Sequence, residues 1–228
     1  MSAGTLVLAW HGTRHPDGEL VAEQVADRVA RGLPGVDVRV GWVDLHPRTL
    51  PLVLAEAGDA TLVPCFLSAG YHVRHDVPEA VAASGHRVAV TAHLGGALTG
   101  AVADRIAEAG GPGGGVVLAA AGSLHADALA EVEAVADELA GRLGVRVVAA
   151  YVYSARPTVA EAVASLRAAG AADVLIAPYA LAPGLWADRI AGLGVRIAEP
   201  LGDHPAVASA IAARYLSAAT GSSGTLDR

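Results

Sequence analysis

Two tandem α/β lobes of the flavodoxin-like kind are predicted, each a four-stranded parallel sheet flanked by helices, with a cleft between the lobes. Three features of this 228-residue sequence predict them. Short apolar segments alternate with helix-period segments along the whole chain. A run of glycine and proline, Gly110-Gly111-Pro112-Gly113-Gly114-Gly115, interrupts the alternation near its midpoint. After that run, the programme that precedes it starts again.

The elements follow in order. Leu6-Val7-Leu8-Ala9-Trp10 is the continuous apolar run expected of a strand buried on both faces. Val21, Val25 and Val29, spaced four apart, give the next helix one apolar face, and Pro34-Gly35 ends it. Val36, Val38, Val40 and Trp42 alternate as a second strand. Pro47 can open a helix at its first turn, where a missing N–H costs little. Residues 60–66 read as a third strand, 78–84 as part of a third helix, 87–92 as a fourth strand and 97–109 as a fourth helix. Beyond the glycine run, strands are expected at 116–121, 145–153, 173–178 and 195–198. Helices are expected at 127–143, at 157–169, near Trp186 and at 205–216. The domain plan is therefore a lobe at 1–109, a linker at 110–115, a second lobe at 116–217 and a disordered Ser/Gly tail at 218–228.

The two lobes are a repeat. Gly12-Thr13-Arg14-His15 recurs as Gly122-Ser123-Leu124-His125, 110 positions on, and Pro47 recurs as Pro157 at the same spacing. Pro64 and Gly70 recur 114 positions on as Pro178 and Gly184, and Leu94-Gly95 recurs 107 on as Leu201-Gly202. Those spacings imply a four-residue insertion in one helix and a seven-residue deletion after Gly184.

Bulk properties narrow the function. A hydrophobic content of 53% with only 17% charged residues supports a well-buried core, and 4% aromatics means small aliphatic side chains build it. The mean hydropathy is +0.44. No apolar run reaches the roughly 18–20 residues that span a bilayer, so no membrane association is expected. Residues 1–5 lack a basic segment ahead of an apolar one, so no signal peptide is expected and the cytoplasm is the default location. A net charge of -7 without an arginine cluster argues against nucleic acid as a partner. One cysteine, Cys65, excludes an internal disulfide and a thiolate-rich metal site. Any metal would have to be handled by the nine histidines and the carboxylates.

Polar residues crowd two strand ends. His11-Gly12-Thr13-Arg14-His15-Pro16 follows the first strand. Ser68-Ala69-Gly70-Tyr71-His72-Val73-Arg74-His75-Asp76-Val77-Pro78 follows the third. In doubly wound folds these strands are neighbours and ligands gather beyond their C-terminal ends, so His11 and His72 can face one cleft. The repeat aligns His11 with Ala121 and His72 with Trp186, while the scaffold glycines and prolines match. The histidines thus mark the first lobe as the active one, with the second as its lid and opposite wall.

The segment from His11 to Arg14 and the run Val63-Pro64-Cys65-Phe66-Leu67 leading into Gly70 to Pro78 resemble the sirohydrochlorin chelatases of the long, two-lobed CbiX/SirB type. The resemblance covers nearly the whole chain, since the duplication matches too. It implies a class II chelatase, a lyase that inserts Co2+ or Fe2+, in some members Ni2+, without ATP or an organic cofactor, for cobalamin or sirohaem synthesis. The family's paired catalytic and metal-handling histidines fall on His11 and His72. Thr13 stands where Ser is frequent, His15 where a carboxylate is frequent, and Cys65 and Ser68 replace more usual apolar residues. These departures bear on metal preference more than on reaction type.

The residue chemistry agrees. Metal insertion releases two pyrrole N–H protons, and neutral imidazole both accepts a proton near pH 7 and holds a borderline metal. Two histidines plus water make a transit site from which the metal can leave, unlike a three- or four-ligand site. Sirohydrochlorin bears eight carboxylates, so Arg14, Arg74 and His75 are expected to bind substrate beside Thr13, Gly70 and Tyr71.

Other residues have plainer readings. His15, which recurs as His125, is expected to cap a helix. Asp76 is read first as a cap and second as an acceptor that orients a histidine. Asp44 and His46 follow the second strand and can border the cleft, with a turn role read first for Asp44. His86, His93 and His204 are read as surface, strand-end or helix-start residues, and Cys65 as a small buried hydrophobe. A histidine phosphatase would need Arg where Trp10 stands, and no nucleotide loop follows the first strand. The remaining alternative is a non-catalytic metal or tetrapyrrole carrier on the same fold. One chain builds a complete site, so a monomer is expected.

Overall fold

The computed structural model describes residues 4–184 and 186–221. Its first half runs Thr5–Trp10 (β1), Pro16–Gly32 (α1), Asp37–Trp42 (β2), Leu50–Ala57 (α2), Ala60–Pro64 (β3), Tyr71–Arg74 (α3), Asp76–Ser84 (α4), Val88–Val90 (β4), a single 3-10 turn Gly95–Leu98 and Thr99–Glu108 (α5). The second half runs Gly115–Ala120 (β5), Ala126–Leu143 (α6), Val147–Tyr151 (β6), Val159–Ala168 (α7), Val174–Pro178 (β7), Trp186–Ala191 (α8), Arg196–Ile197 (β8) and Pro205–Gly221 (α9). The strands form two four-stranded sheets, ordered β2-β1-β3-β4 and β6-β5-β7-β8, with every pairing parallel. Both sheets are as expected, and all eight strands fall where the apolar runs placed them. No described helix is long and apolar enough to cross a membrane.

Each sheet carries its own core. In the first, Val7, Ala9 and Leu62 pack on Leu50, Val53 and Leu54 of α2 and on Val77 and Ala80 of α4. In the second, Val117, Ala119 and Ile176 pack on Val159, Ala162, Val163 and Leu166 of α7. Branched aliphatic side chains, valine above all, make up most of both clusters, with alanines between them.

Several boundaries differ from expectation. Neither Pro47 nor Pro157 opens a helix. The helix α2 starts at Leu50 behind Thr49, with Pro51 in its first turn, and α7 starts at Val159 behind Thr158. Thr158 and Glu161 form a reciprocal capping box, which secures the orphan N–H groups there. Trp42 N–H donates to the Arg48 carbonyl and Tyr151 N–H to the Pro157 carbonyl. Arg48 and Pro157 are therefore the equivalent residues, and Pro47 aligns one residue away from where composition placed it. The helix expected at residues 97–109 is divided, a 3-10 turn preceding α5. The segment after β3 holds the short helix α3 before α4.

The compact units also differ from the sequence halves. One comprises residues 4–66, 72–94 and 203–221; the other comprises 67–71 and 95–202. In the first unit α9 packs on α1 and β3; in the second α5 packs on α6 and β7. Each half thus gives its last helix to the other half's sheet. Residues 110–115 are not a free linker. Gly113 bridges to Val174, Gly114 N–H donates to the Asp173 carbonyl at 2.7 Å, and Arg196 donates to the carbonyls of Ala109 and Gly111. Glycine is needed at 113, where φ is +61° and a Cβ would crowd the Asp173 carboxylate. The expected tail is helical through Gly221; residues 222–228 lie outside the described residues.

Two separate cores predict two comparable cavity penalties. Leu54→Ala in the first unit and Leu166→Ala in the second, each removing a side chain no more than 1% exposed, should each destabilise by about 2–5 kcal/mol in urea unfolding. A loss under about 1 kcal/mol at either site would contradict the packing described.

Candidate active site

The central pairing of the first sheet brings the two polar segments together. β1 and β3 are hydrogen-bonded neighbours, with Leu6 to Ala9 beside Thr61 to Pro64. The pairing continues past the strand end, where Cys65 N–H donates to the Ala9 carbonyl at 2.8 Å. This is the place where strand order reverses in a β2-β1-β3-β4 sheet, so the loops leaving β1 and β3 diverge to opposite faces and leave a crevice. His11 leaves β1 there and His72 sits in α3. Their rings meet edge to face, with centroids 4.4 Å apart and planes at 85°. The expected juxtaposition of the two histidines is thus present within one unit.

Both rings are held by the same nitrogen. His11 Nδ1 lies 2.7 Å from the Gly12 carbonyl, which can only accept, so Nδ1 carries the proton. His72 Nδ1 donates to the Asp76 carboxylate four residues on, one helical turn away. Each histidine is therefore set to leave Nε2 as a lone pair. Phe66 flattens the environment of His72, its ring stacked at 6.2 Å and 26°. Asp76 is not the helix cap that its position favoured. His75 occupies the cap of α4 and makes no side-chain cap bond, while Asp76 turns back onto His72. The i, i+4 spacing of His72 and Asp76 is the sequence signal from which this contact can be found.

The backbone under His11 is equally constrained. Gly12 has φ +84°, and a Cβ there would fall inside contact distance of the Asp44 carbonyl oxygen. Only glycine lets the β1 loop lie against the β2 loop this closely. The two loops are joined by Asp44 N–H donating to the His11 carbonyl at 3.2 Å. The Asp44 carboxylate accepts from Leu45 N–H at 2.7 Å, and Leu45 itself has φ +57°. His46 fixes the far side of that loop. Its Nδ1 accepts from Arg48 N–H, and its Nε2 donates to Glu19 of α1, both at 3.0 Å. Its ring lies 4.9 Å from Trp42. With both nitrogens engaged, His46 is a brace for the loop.

The remaining residues of interest divide. His15 caps α1, accepting from Asp17 N–H, as expected. Thr13 accepts from His15 N–H at 3.0 Å and its methyl fills the space beside Gly18, so its side chain belongs to the turn. Arg14 is exposed. Arg74 ends α3, His75 follows it, and Tyr71 opens α3 at 59% exposure. Gly70 and Tyr71 belong to residues 67–71, which cluster with the second unit. Cys65 is buried, and that burial pushes its thiol well above the ordinary range, which suits a hydrophobe and not a ligand. Among the described residues no group of three or more His, Cys, Asp and Glu side chains is arranged to hold a metal.

A family model described as CbiX matches residues 5–109 and again residues 115–218. A sirohydrochlorin cobaltochelatase of Methanococcus maripaludis is 32% identical over 80 residues, 32% of this chain and 55% of that protein. One of Methanococcoides burtonii is 30% identical over 77 residues, 30% of this chain and 56% of that protein. The chain therefore spans about half the length of the curated relatives it matches. Among solved structures, SirB from Bacillus subtilis with Fe3+ has a TM-score of 0.82 at 21% identity over 99% of both chains. SirB from Bacillus subtilis subspecies spizizenii in complex with cobalt has 0.81 at 19%, again over 99% of both. CbiX, described as the terminal enzyme for biosynthesis of siroheme in denitrifying bacteria, has 0.68 at 22% over 92% of this chain and 98% of that one. At these identities the likeness to solved structures is one of fold.

The close approach at Gly12 predicts a sharp penalty. Gly12→Ala should cost about 2 kcal/mol of stability through the positive φ and the crowded carbonyl, and it should separate the His11 and His72 rings. Thermal unfolding and the imidazole NMR shifts of the two residues measure these effects, and an unchanged melting temperature would contradict the packing described.

Proposed function

The chain belongs to the CbiX family, and from that premise we propose that it inserts a divalent metal ion into sirohydrochlorin without ATP, acting as a monomeric cytoplasmic lyase. Co2+ and Fe2+ are the first candidates and Ni2+ the third. The observation that carries the reading is the His11–His72 pair, two rings in contact with Nδ1 of each committed to an acceptor.

The chemistry follows from the Nε2 atom of each ring, which carries the lone pair when Nδ1 holds the proton. A divalent ion meeting the pair finds two neutral imidazole ligands and completes its shell with water, which holds it weakly enough to be passed on. As the metal enters the macrocycle, two pyrrole N–H protons must leave, and each Nε2 released by the metal is a base positioned to take one. Overall one M2+ replaces two protons, and no redox partner or nucleotide is needed. Asp76 keeps His72 in the Nδ1–H form and fixes the plane of its ring, the role carboxylates play behind metal-binding histidines. His11 has only a carbonyl behind it and is the more exposed of the two. Arg14, Arg74 and His75 supply cations for the substrate's carboxylates, with Thr13, Gly70 and Tyr71 bordering the ring.

Anaerobic insertion assays with metal-free sirohydrochlorin and Co2+, Fe2+ or Ni2+ test this reading. Many turnovers per protein mean a chelatase; an absorbance change that stops at one equivalent means a carrier. His11→Ala and His72→Ala should each lower the insertion rate by at least about 100-fold with the fold intact. Rates within threefold of the parent in both variants would exclude the pair as the catalytic centre.

Asp76 gives a graded second test. Asp76→Ala should lower metal affinity or insertion by about 10–100-fold, while Asp76→Asn, which retains an acceptor oxygen, should lose less. Nitrogen-15 NMR of the His72 ring should show loss of the single Nδ1–H tautomer in Asp76→Ala, and an unaltered tautomer would remove Asp76 from this role.

A further inference from the structure

The loops that follow β2 and β6 have the same length and differ in one backbone turn. Trp42 N–H donates to the Arg48 carbonyl and Tyr151 N–H to the Pro157 carbonyl, so residues 43–47 match 152–156 one for one. Each loop bonds the end of its neighbouring strand alike. Asp44 N–H donates to the His11 carbonyl at 3.2 Å, and Tyr153 N–H to the Ala121 carbonyl at 3.0 Å. Beyond that bond the loops part. A Cβ on Gly12 would meet the Asp44 carbonyl oxygen at 1.9 Å, whereas one on Gly122 would meet the Ser154 nitrogen at 3.0 Å. The peptide joining residues 44 and 45 thus turns its oxygen to the glycine, and the peptide joining 153 and 154 turns its nitrogen. The reversal puts Leu45 at φ +57°, and among the described residues Leu45 is the one non-glycine residue with a positive φ. A leucine resists that conformation, because its Cβ crowds the following carbonyl. Leu45 is 44% exposed, so burial does little to hold it there.

The next residue holds it. The His46 ring lies 4.9 Å from Trp42. Its Nδ1 accepts from Arg48 N–H and its Nε2–H donates to the Glu19 carboxylate, both at 3.0 Å. The side chain therefore ties the base of its own loop to α1, directly beside the strained turn. The corresponding loop of the second unit has no such tie. Ala155 stands for His46, and Leu129 stands for Glu19, counting from His125 and His15 at the caps of α6 and α1. Neither of those side chains can hydrogen-bond. The second unit folds the same strand-loop-helix corner without the tie and without the reversed peptide, so the corner needs neither in order to fold. Both features accompany the corner that carries His11. Glu19 is 55% exposed, and so exposed a pair adds little to stability.

We propose that Glu19 and His46 are positioning residues for His11 in metal insertion, an inference that rests on the functional reading above. The tie from α1 through His46 to Arg48 keeps Leu45 left-handed. The Asp44 oxygen then stays against Gly12, and the Asp44 N–H stays on the His11 carbonyl. Those contacts fix the Gly12 carbonyl that accepts from His11 Nδ1, and with it the direction of the Nε2 lone pair. Without the tie Leu45 relaxes, the peptide turns over as in the second unit, and the His11 ring loses its fixed aim. A misdirected imidazole slows the chemical step and leaves substrate binding nearly unchanged.

Anaerobic insertion kinetics and amide hydrogen exchange, both on the full chain, test the proposal. Glu19→Ala and His46→Phe, the second keeping a ring against Trp42 but no nitrogen, should each lower kcat by about tenfold, with KM for sirohydrochlorin and for the metal within about twofold of the parent. Glu19→Gln keeps an acceptor oxygen and should restore kcat to within about threefold of the parent. In Glu19→Ala and His46→Phe the Asp44 amide should exchange about tenfold faster, while the Tyr153 amide of the second unit keeps the parent's rate. Glu56→Ala, which removes the exposed partner of the Arg48 side chain, should match the parent's kcat within about twofold. Unfolding midpoints near the parent's establish that each variant is folded. An unchanged Asp44 exchange rate, or a kcat within about threefold of the parent in both Glu19→Ala and His46→Phe, overturns this inference alone. A loss of rate that falls on KM with kcat kept overturns it as well. A parent protein that does not metallate sirohydrochlorin overturns the functional reading and this inference with it.

Discussion

Everything at the site depends on the parallel pairing of β1 with β3. Strand pairing sets register to a single residue, and here it runs on past the strands, through Cys65 N–H to the Ala9 carbonyl. It places the residue after Trp10 and the turn after Phe66 at the same height above the sheet. Two imidazoles that are 61 positions apart in the chain (His11 and His72) come within 4.4 Å as a consequence. A one-residue slip would point one of them to the other face.

The backbone and one carboxylate decide which nitrogen of each ring holds the proton and which the lone pair. Imidazole has two nitrogens with opposite roles when neutral. The Gly12 carbonyl and the Asp76 carboxylate each engage Nδ1. The Gly12 carbonyl is in place because glycine alone tolerates the approach of the Asp44 loop, and that loop is braced in turn by His46 between Glu19 and Arg48. His11 is thus the exposed end of a chain of satisfied hydrogen bonds that starts at α1. Residues that look like spare ligands in the sequence, His15 and His46, are consumed by this scaffold.

The duplication separates what the fold requires from what the chemistry requires. Both sheets keep the same strand order, the same positive-φ glycine after the first strand and the same Ser/Thr turn into the following helix. Those are conditions for folding a strand-loop-helix corner. The side chains standing on the corner are free to diverge, and they have: His11 and Arg14 in one unit stand where Ala121 and Leu124 stand in the other. The exchange of terminal helices, α9 to the first sheet and α5 to the second, means that neither sequence half completes its own layer. The family match falls on the halves, residues 5–109 and 115–218, while the packing units cross them.

Much of this was legible in the amino-acid order. Apolar runs with period-2 or unbroken character named all eight strands, because a buried parallel strand tolerates little else. The repeat spacing gave the duplication. The strand-end polar clusters gave His11 and His72, because the topology of a doubly wound sheet puts those ends together. The helix starts misplaced at Pro47 and Pro157, and the one-residue error in the repeat register, arose because proline marks a turn as readily as a first helical residue; hydrogen bonds from Trp42 and Tyr151 settled which. Asp76 looked like a cap because local sequence cannot weigh a cap against a side-chain partner. The helix exchange was invisible, since α5 and α9 have apolar faces that would suit either sheet. Local periodicity and spacing are properties of the chain and can be read from it. The choice among equally apolar or equally polar partners belongs to three-dimensional packing, where competing contacts are compared at once.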